Sequence, residues 1–549
     1  MSDRALAVEA RIPGTLRAKV EQKLALAGRD GVAHRLREGD PTLWGSPGAP
    51  EVGDRLGWLT IAEQMLEQLD ELEAFAEQIS REGFAHVVLL GMGGSSLAPE
   101  VLRRCFHHRP GRPSLHVLDS TDSGAIRAVE QEIELERTLF VVSSKSGGTI
   151  EPLSLFAHFW ELVGEGRSFI AITDAGSGLE RLARERGFRS VFHGDPAIGG
   201  RYSALSPFGI VPGALMGVDV RSLLVGAREA WEVPVEDSTP SALHLGHVWL
   251  GAALSALAQN GRDKLTFVIA PTLPGLGLWL EQLVAESTGK QGTGILPVAE
   301  EPLGEPGDYG DDRVFAYLPD VTAHEPGLDA RAQALIEGGH PLITIPTRGA
   351  SDLGRVFMLA ELAVAIVGWG LQINPFDQPN VQEAKDATAA VLAEYEGTGA
   401  LPEIPDADEA ALRSLLLGGR PPQYVALMAY LKPAPEIDAA AGELRVAIRD
   451  ATRATTTFGY GPRFLHSTGQ FHKGGPPYGR FLQLLQDDPD DIPVPGAPYT
   501  FNTLKNAQAT GDFTTLRDQH ALPAERIHLA GGDAVAALHA ITARIKEAT

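Results

Sequence analysis

The fold turns on HVVLLGMGGSS, His86 to Ser96, in which a short apolar run passes directly into a turn of glycines and serines. The same construction returns at LFVVSSKSGGT, Leu139 to Thr149. Each is followed by helical sequence, and Leu115 to Leu118 and Ser168 to Thr173 add two further apolar runs. Strand-like runs alternating with helical stretches predict βαβ units and a largely parallel sheet.

Working outward, residues 1 to about 80 read as helical, with Leu66, Leu69, Leu72 and Phe75 at helical spacing and a Gly/Pro-rich loop from Trp44 to Gly53. A helical connector from Ala242 to Leu257 leads into a second α/β block. Its expected strands are Leu265–Ala270, Val314–Leu318 and Leu342–Ile345, with helices at Leu278–Ser287, Asp329–Glu337 and Gly354–Ile373. Past residue 400 the chain is richer in Pro, Gly and Asp. Strands are expected there at Tyr424–Leu431, Phe481–Leu485 and Arg526–Leu529, and helices at Ala440–Arg449 and Asp533–Ile545. The expected organisation is therefore α/β throughout: residues 1–235, residues 236–400, and a smaller C-terminal α/β region, 401–549.

A chain of 549 residues is too long for one core. Acidic residues number 71 against 47 basic ones, a formal charge of −24 that argues against nucleic acid and anionic membranes as partners. Cys105 is the only cysteine, so neither an intrachain disulfide nor a cysteine metal site is available. The N-terminus lacks the apolar core of a signal peptide. The longest uncharged apolar run, Leu362 to Ile373, is shorter than the roughly 20 residues that span a bilayer. These features point to the cytoplasm.

The two turns suit a phosphate. In Gly91-Met92-Gly93-Gly94-Ser95-Ser96 the glycines let backbone amides approach an anion, serines add donors, and the helix that follows presents its positive end. In Ser143-Ser144-Lys145-Ser146-Gly147-Gly148-Thr149 hydroxyls surround a lysine. Ser96 stands where a dinucleotide fingerprint needs glycine, and Gly289-Lys290 fails the Walker pattern at Val284 and Gln291. Ligands of open α/β sheets gather at the carboxyl ends of strands, so both turns can face one pocket. A phosphorylated ligand is expected.

With these turns, three later segments resemble the phosphoglucose isomerase family, built of sugar-isomerase (SIS) domains: Gly199-Gly200-Arg201-Tyr202-Ser203, Glu286-Ser287-Thr288-Gly289-Lys290, and Asn374 to Pro379 leading to Lys385. The resemblance covers roughly residues 50 to 390 and keeps the family's order. It implies two SIS-type parallel-sheet sandwiches with helices on both faces. It also implies a hexose 6-phosphate substrate, interconversion of D-glucose 6-phosphate and D-fructose 6-phosphate through a cis-enediol, no cofactor, no metal and a homodimer. By resemblance Gly94, Ser95, Ser144, Lys145, Ser146 and Thr149 bind the phosphate. Glu286 carries the proton, Arg201 stabilises the enediolate, Gln378 contacts substrate and Lys385 assists ring opening. The chemistry wants these types independently: a shielded carboxylate for a proton next to a carbonyl, and a guanidinium for an enediolate.

The family's ring-opening histidine, a few dozen residues after the base, has no counterpart at that distance from Glu286. His466-Ser467-Thr468-Gly469-Gln470-Phe471-His472 appears instead in the C-terminal region, and His466 or His472 is expected to fill the role, in one reading from a partner subunit. A long C-terminal extension with this segment is similar to the isomerase half of fused transaldolase–phosphoglucose isomerases, but no stretch accommodates the roughly 250 residues of a transaldolase barrel. His107-His108 and His244-x-x-His247 lack accompanying carboxylate clusters, which disfavours a metal. The alternatives are a non-catalytic phosphosugar-binding regulator and an isomerase that also accepts mannose 6-phosphate.

Overall fold

A computed structural model describes residues 6–46, 48–232, 246–529 and 532–548. The strands are β1 (Glu9–Arg11), β2 (His86–Gly91), β3 (Ser114–Leu118), β4 (Thr138–Ser143), β5 (Phe169–Asp174), β6 (Ser190–Gly194), β7 (Lys264–Ile269), β8 (Leu296–Val298), β9 (Arg313–Leu318), β10 (Leu342–Thr344), β11 (Tyr424–Tyr430), β12 (Thr455–Tyr460), β13 (Gly479–Leu485) and β14 (Ala524–His528). They form three sheets.

The first sheet has the order β3-β2-β4-β5-β6 and is parallel throughout. Its central strands β2 and β4 are buried at every position but the first of β2, His86, as expected where helices cover both faces. From β2 the chain steps to β3 on one side and then to β4 on the other. That reversal opens a crevice between the carboxyl ends of β2 and β4. The two glycine–serine turns leave those two strands.

The second sheet, β1-β10-β9-β7-β8, is parallel except for β1, which runs antiparallel to β10. The N-terminal residues thus reach across to this sheet, and helix Gly14–Arg29 packs on helix Gly246–Ala258. The connector anticipated from Ala242 is described from Gly246; residues 242–245, His244 among them, lie outside the described residues. The third sheet, β12-β11-β13-β14, is parallel.

Strands β1, β6, β8 and β12 were not anticipated. The first and third are three residues long, and β8 contains Pro297, which an edge strand tolerates. The edge strand β6 is only half-buried, and β12 opens with threonines and includes a glycine. A helix extending over Gly349–Leu371 is long and apolar enough to cross a membrane by length and composition, beyond what the uncharged run alone indicates. In this fold 83% of that apolar window is buried inside the protein.

The C-terminal region is anchored on the first sheet by buried charges. Lys505 Nζ lies 2.8 Å from Asp122 Oδ2, and Arg463 holds Asp119 with Nε and Nη2, both at 2.7 Å. Asp122 also caps the helix Ser123–Glu132 by accepting from the Ala125 amide. Removing one partner of a buried pair strands the other charge, at a cost of about 3–5 kcal/mol. Lys505→Ala is therefore expected to lower the urea unfolding midpoint sharply, while Lys505→Ala with Asp122→Asn recovers part of the loss.

Candidate active site

Each phosphate-loop candidate is held by its own turn. The first turn packs so closely on Gly199–Tyr202 that a Cβ on Gly94 would lie 2.0 Å from the Gly200 carbonyl oxygen. Only glycine fits there, which brings the GGRYS segment against the first turn. In the second turn the Ser144 hydroxyl donates to Thr149 Oγ1 at 3.1 Å. Lys145 Nζ is 2.5 Å from Asp174 Oδ2 and donates to the Asp195 carbonyl at 3.0 Å.

Glu286 lies in the last turn of helix Leu276–Thr288 and is buried. Burial pushes its carboxyl above the ordinary carboxylate range, against the pull of Arg201, His466, Lys290 and a hydrogen bond from Gln282. That bond runs from Gln282 Nε2 to Glu286 Oε2 at 3.2 Å, and the same amide donates to the His466 carbonyl at 2.8 Å.

Arg201 is 1% exposed. Its Nε donates to Ser287 Oγ at 2.9 Å, Nη1 to Gln378 Oε1 at 2.7 Å, and Nη2 to the carbonyls of Pro375 at 2.6 Å and Asp377 at 2.9 Å. Glu286 Oε2 stands 3.8 Å from Nη1. Lys290 clamps the same strap from another side, through the carbonyls of Asn374 and Asp377 and the Asp377 carboxylate. Burial first, then Arg201, brings the Lys290 ammonium down to about 7, with Asp377 opposing.

His466 arrives from the C-terminal region on the short helical turn Arg463–His466. Its Nε2 is 2.9 Å from Glu151 Oε1, and Gln508 Nε2 donates to the same oxygen at 2.7 Å. Burial raises the Glu151 carboxyl, but the His466 charge and hydrogen bond outweigh it, leaving the group below its usual range. The histidine that lines the cavity belongs to the same chain.

A cavity of about 440 Å³ joins Gly94, Ser95, Lys145, Ser146 and Thr149 to Glu286, Gln378, Lys385 and His466. Two candidates stand behind its wall. Ser144 is buried under Thr149, and Arg201 lies beneath Gln378 and Glu286. His472 is not brought there, a correction to its shared candidacy for ring opening. It is buried in the helix Gly469–Gly474, with Tyr424, Phe464 and Phe481 around its ring and Nε2 without a partner among the described residues.

Sequence reading missed Arg55 and Glu51, which line the cavity from the Gly/Pro-rich loop region, and Gln282, Gln508 and Glu151. Glu151 sits in the first turn of helix Ile150–Val163, where an acid is commonplace. Only the fold reveals its partner.

A family model described as phosphoglucose isomerase matches residues 60–310. The curated glucose-6-phosphate isomerase of Rubrobacter xylanophilus is 31% identical over 377 residues, covering 59% of this chain and 86% of the relative. The chain belongs to the glucose-6-phosphate isomerase family. Another member, from Trichormus variabilis, is 30% identical over 60% of this chain and 72% of its own. The crystal structure of a glucose-6-phosphate isomerase from Chlamydia trachomatis shares the fold, with a TM-score of 0.56 at 20% identity over 69% of this chain and 86% of that one. The family model ends at residue 310, before the Asn374–Lys385 strap and the His466 turn.

Burial, with Lys473 adding to it, drives the His472 imidazole down to about 3 from 6.5. The unfolded chain therefore binds more protons between these values, and stability falls as pH drops below 6.5, by about 1.4 kcal/mol per unit. His472→Phe, which keeps a ring among the rings, is expected to flatten the stability loss between pH 6.5 and 5 in urea titrations. An unchanged acid slope would contradict the buried neutral imidazole.

Proposed function

We propose that this chain interconverts D-glucose 6-phosphate and D-fructose 6-phosphate with Glu286 as the proton carrier. The observation that carries the reading is the single cavity in which a buried carboxylate faces two hydroxyl-bearing turns across a space the size of a hexose phosphate. Membership of the glucose-6-phosphate isomerase family supports the same reaction. A binder without catalysis has no use for a buried carboxylate held beside a guanidinium.

In this reading Ser95, Ser146, Thr149 and the backbone amides of both turns hold the phosphate, at the crevice between β2 and β4. Lys145 keeps its turn in place through Asp174 while adding positive charge. His466 and Lys385 open the ring, one giving a proton to O5 while the other takes the proton from the O1 hydroxyl. His466 Nε2 is engaged with Glu151, which leaves Nδ1 as the ring nitrogen that exchanges a proton with the sugar. Glu286 then takes the C2 proton and returns it to C1. The O2 proton passes to O1, so an aldehyde and a hydroxyl become a hydroxyl and a ketone. Arg201 acts from beneath the cavity floor, its charge lowering the energy of the enediolate and its fork fixing Gln378.

We further propose three units, 1–235, 236–400 and 401–549, the last supplying His466, and a cytoplasmic homodimer as the working form. Because His466 comes in cis, dilution to monomer should not by itself remove the histidine.

Glu286→Gln is expected to lower kcat by roughly 10²–10⁴ while leaving fructose 6-phosphate binding intact. His466→Asn should slow enzyme-catalysed anomerisation of fructose 6-phosphate, followed by magnetisation-transfer NMR, more than it slows exchange of the transferred proton with solvent. Full turnover in Glu286→Gln would remove the base, and unchanged anomerisation in His466→Asn would remove the histidine from ring opening.

A further inference from the structure

His466 stands at the end of a helical turn of 4 residues, and the other end of that turn is gripped from the first sheet. Arg463 Nε and Nη2 donate to Asp119 Oδ2 and Oδ1, both at 2.7 Å, a fork that fixes angle as well as distance. At about 2 Å of rise per residue, Arg463 and His466 are only about 6 Å apart along the turn. Neither Asp119 nor Arg463 borders the catalytic cavity.

Asp119 follows β3 directly, at the carboxyl end of the first sheet, and is buried. Its Oδ2 also accepts from the hydroxyl of Ser96, the last residue of the first phosphate turn, at 3.2 Å. The same hydroxyl lies 3.2 Å from the Gly93 carbonyl inside that turn. One carboxylate therefore joins the turn that faces the phosphate to the turn that carries the histidine.

The two turns also touch directly. Gly93 has φ +53°, and a Cβ there would lie 2.8 Å from the His466 carbonyl oxygen and 3.0 Å from the His466 Cβ. Gln282 Nε2 donates to that carbonyl at 2.8 Å. A close contact and a single hydrogen bond at the histidine leave the start of the turn free to pivot. The Asp119–Arg463 fork acts there and removes that freedom. The pivot matters, because moving a reacting group by about 1 Å can cost about 10²-fold in rate.

We propose that Asp119 and Arg463 are positioning residues for ring opening: their fork registers the histidine turn against the first phosphate turn, so that His466 meets the ring oxygens of a sugar whose phosphate is held there. This rests on the reading that His466 opens the ring. The pair serves that step alone, because Glu286 is carried by helix Leu276–Thr288 and takes its hydrogen bond from Gln282 on the same helix. Proton transfer between C2 and C1 survives the loss of the fork.

The test compares a substrate that must open with one that cannot close. Fructose 6-phosphate is cyclic, whereas 5-deoxyfructose 6-phosphate lacks the ring-closing hydroxyl and carries phosphate on the next oxygen, so it enters as the open chain. Asp119→Asn should slow enzyme-catalysed anomerisation of fructose 6-phosphate by roughly 10- to 100-fold. Exchange of the C1 proton of the deoxy sugar with deuterated water should stay close to the wild-type rate. Arg463→Lys keeps the charge pair but replaces the fork by a point donor, so it should behave alike, and it decides the matter where loss of the Asp119 charge impairs folding. In a His466→Asn background neither change should slow anomerisation further. The proposal is overturned if either variant slows both substrates alike, or if either leaves anomerisation unchanged. Slowed anomerisation in His466→Asn beside an unaffected Asp119→Asn overturns it alone. Unchanged anomerisation in His466→Asn removes the histidine and the proposal together.

Discussion

The site depends on one buried guanidinium. Removing a cation from water costs several kcal/mol unless its donors are satisfied, and Arg201 is almost wholly enclosed. Its acceptors come from distant parts of the chain: Ser287 beside the base, Gln378, and the carbonyls of Pro375 and Asp377. Because the arginine cannot be left unsatisfied, the GGRYS turn, the end of the Glu286 helix and the Asn374–Gln378 strap are obliged to meet. Lys290 enforces the same meeting from a second direction. The carboxylate at position 286 inherits its environment from this knot: desolvated enough to be a usable base, yet near enough to positive charge to remain ionisable.

The C-terminal region is part of the same construction. A Cβ on Gly289 would lie 2.4 Å from the Cα of Phe471, so the segment after His466 rests directly on the motif that contains the base. Gln470 fixes this contact by donating to the Gly289 carbonyl and to Asn380 Oδ1, while Asn380 donates its backbone amide in return. Docking at this distance leaves His466 little freedom. The Glu151 carboxylate then orients the ring from the second phosphate turn's own helix.

Much of this was legible in the sequence because the relevant signals are local. An apolar run ending in glycines and serines specifies strand and turn together, so β2, β4 and the two turns stood out. The helices expected near 278–287, 329–337 and 354–373 lie within a few residues of those bounds, whereas the long helices Pro379–Thr398 and Phe501–Thr514 were not anticipated. The strands that escaped lacked a buried, continuous run: β1 and β8 are too short, and β6 and β12 are interrupted by His, Thr or Gly. In the site, the identity of Glu286 followed from motif, but the choice between His466 and His472 did not. Six positions apart on one segment, the two rings point into a polar cavity and an aromatic core respectively. Glu151 was illegible for a related reason, since its partner is 315 residues away in sequence.

The most direct measurement is a crystal structure with a phosphorylated sugar acid that mimics the planar enediolate. The account predicts its phosphate among the hydroxyls of Ser95, Ser146 and Thr149, with its carboxylate end within hydrogen-bond reach of the Glu286 carboxyl. A ligand whose phosphate lies elsewhere, or whose acid end turns away from position 286, would contradict it.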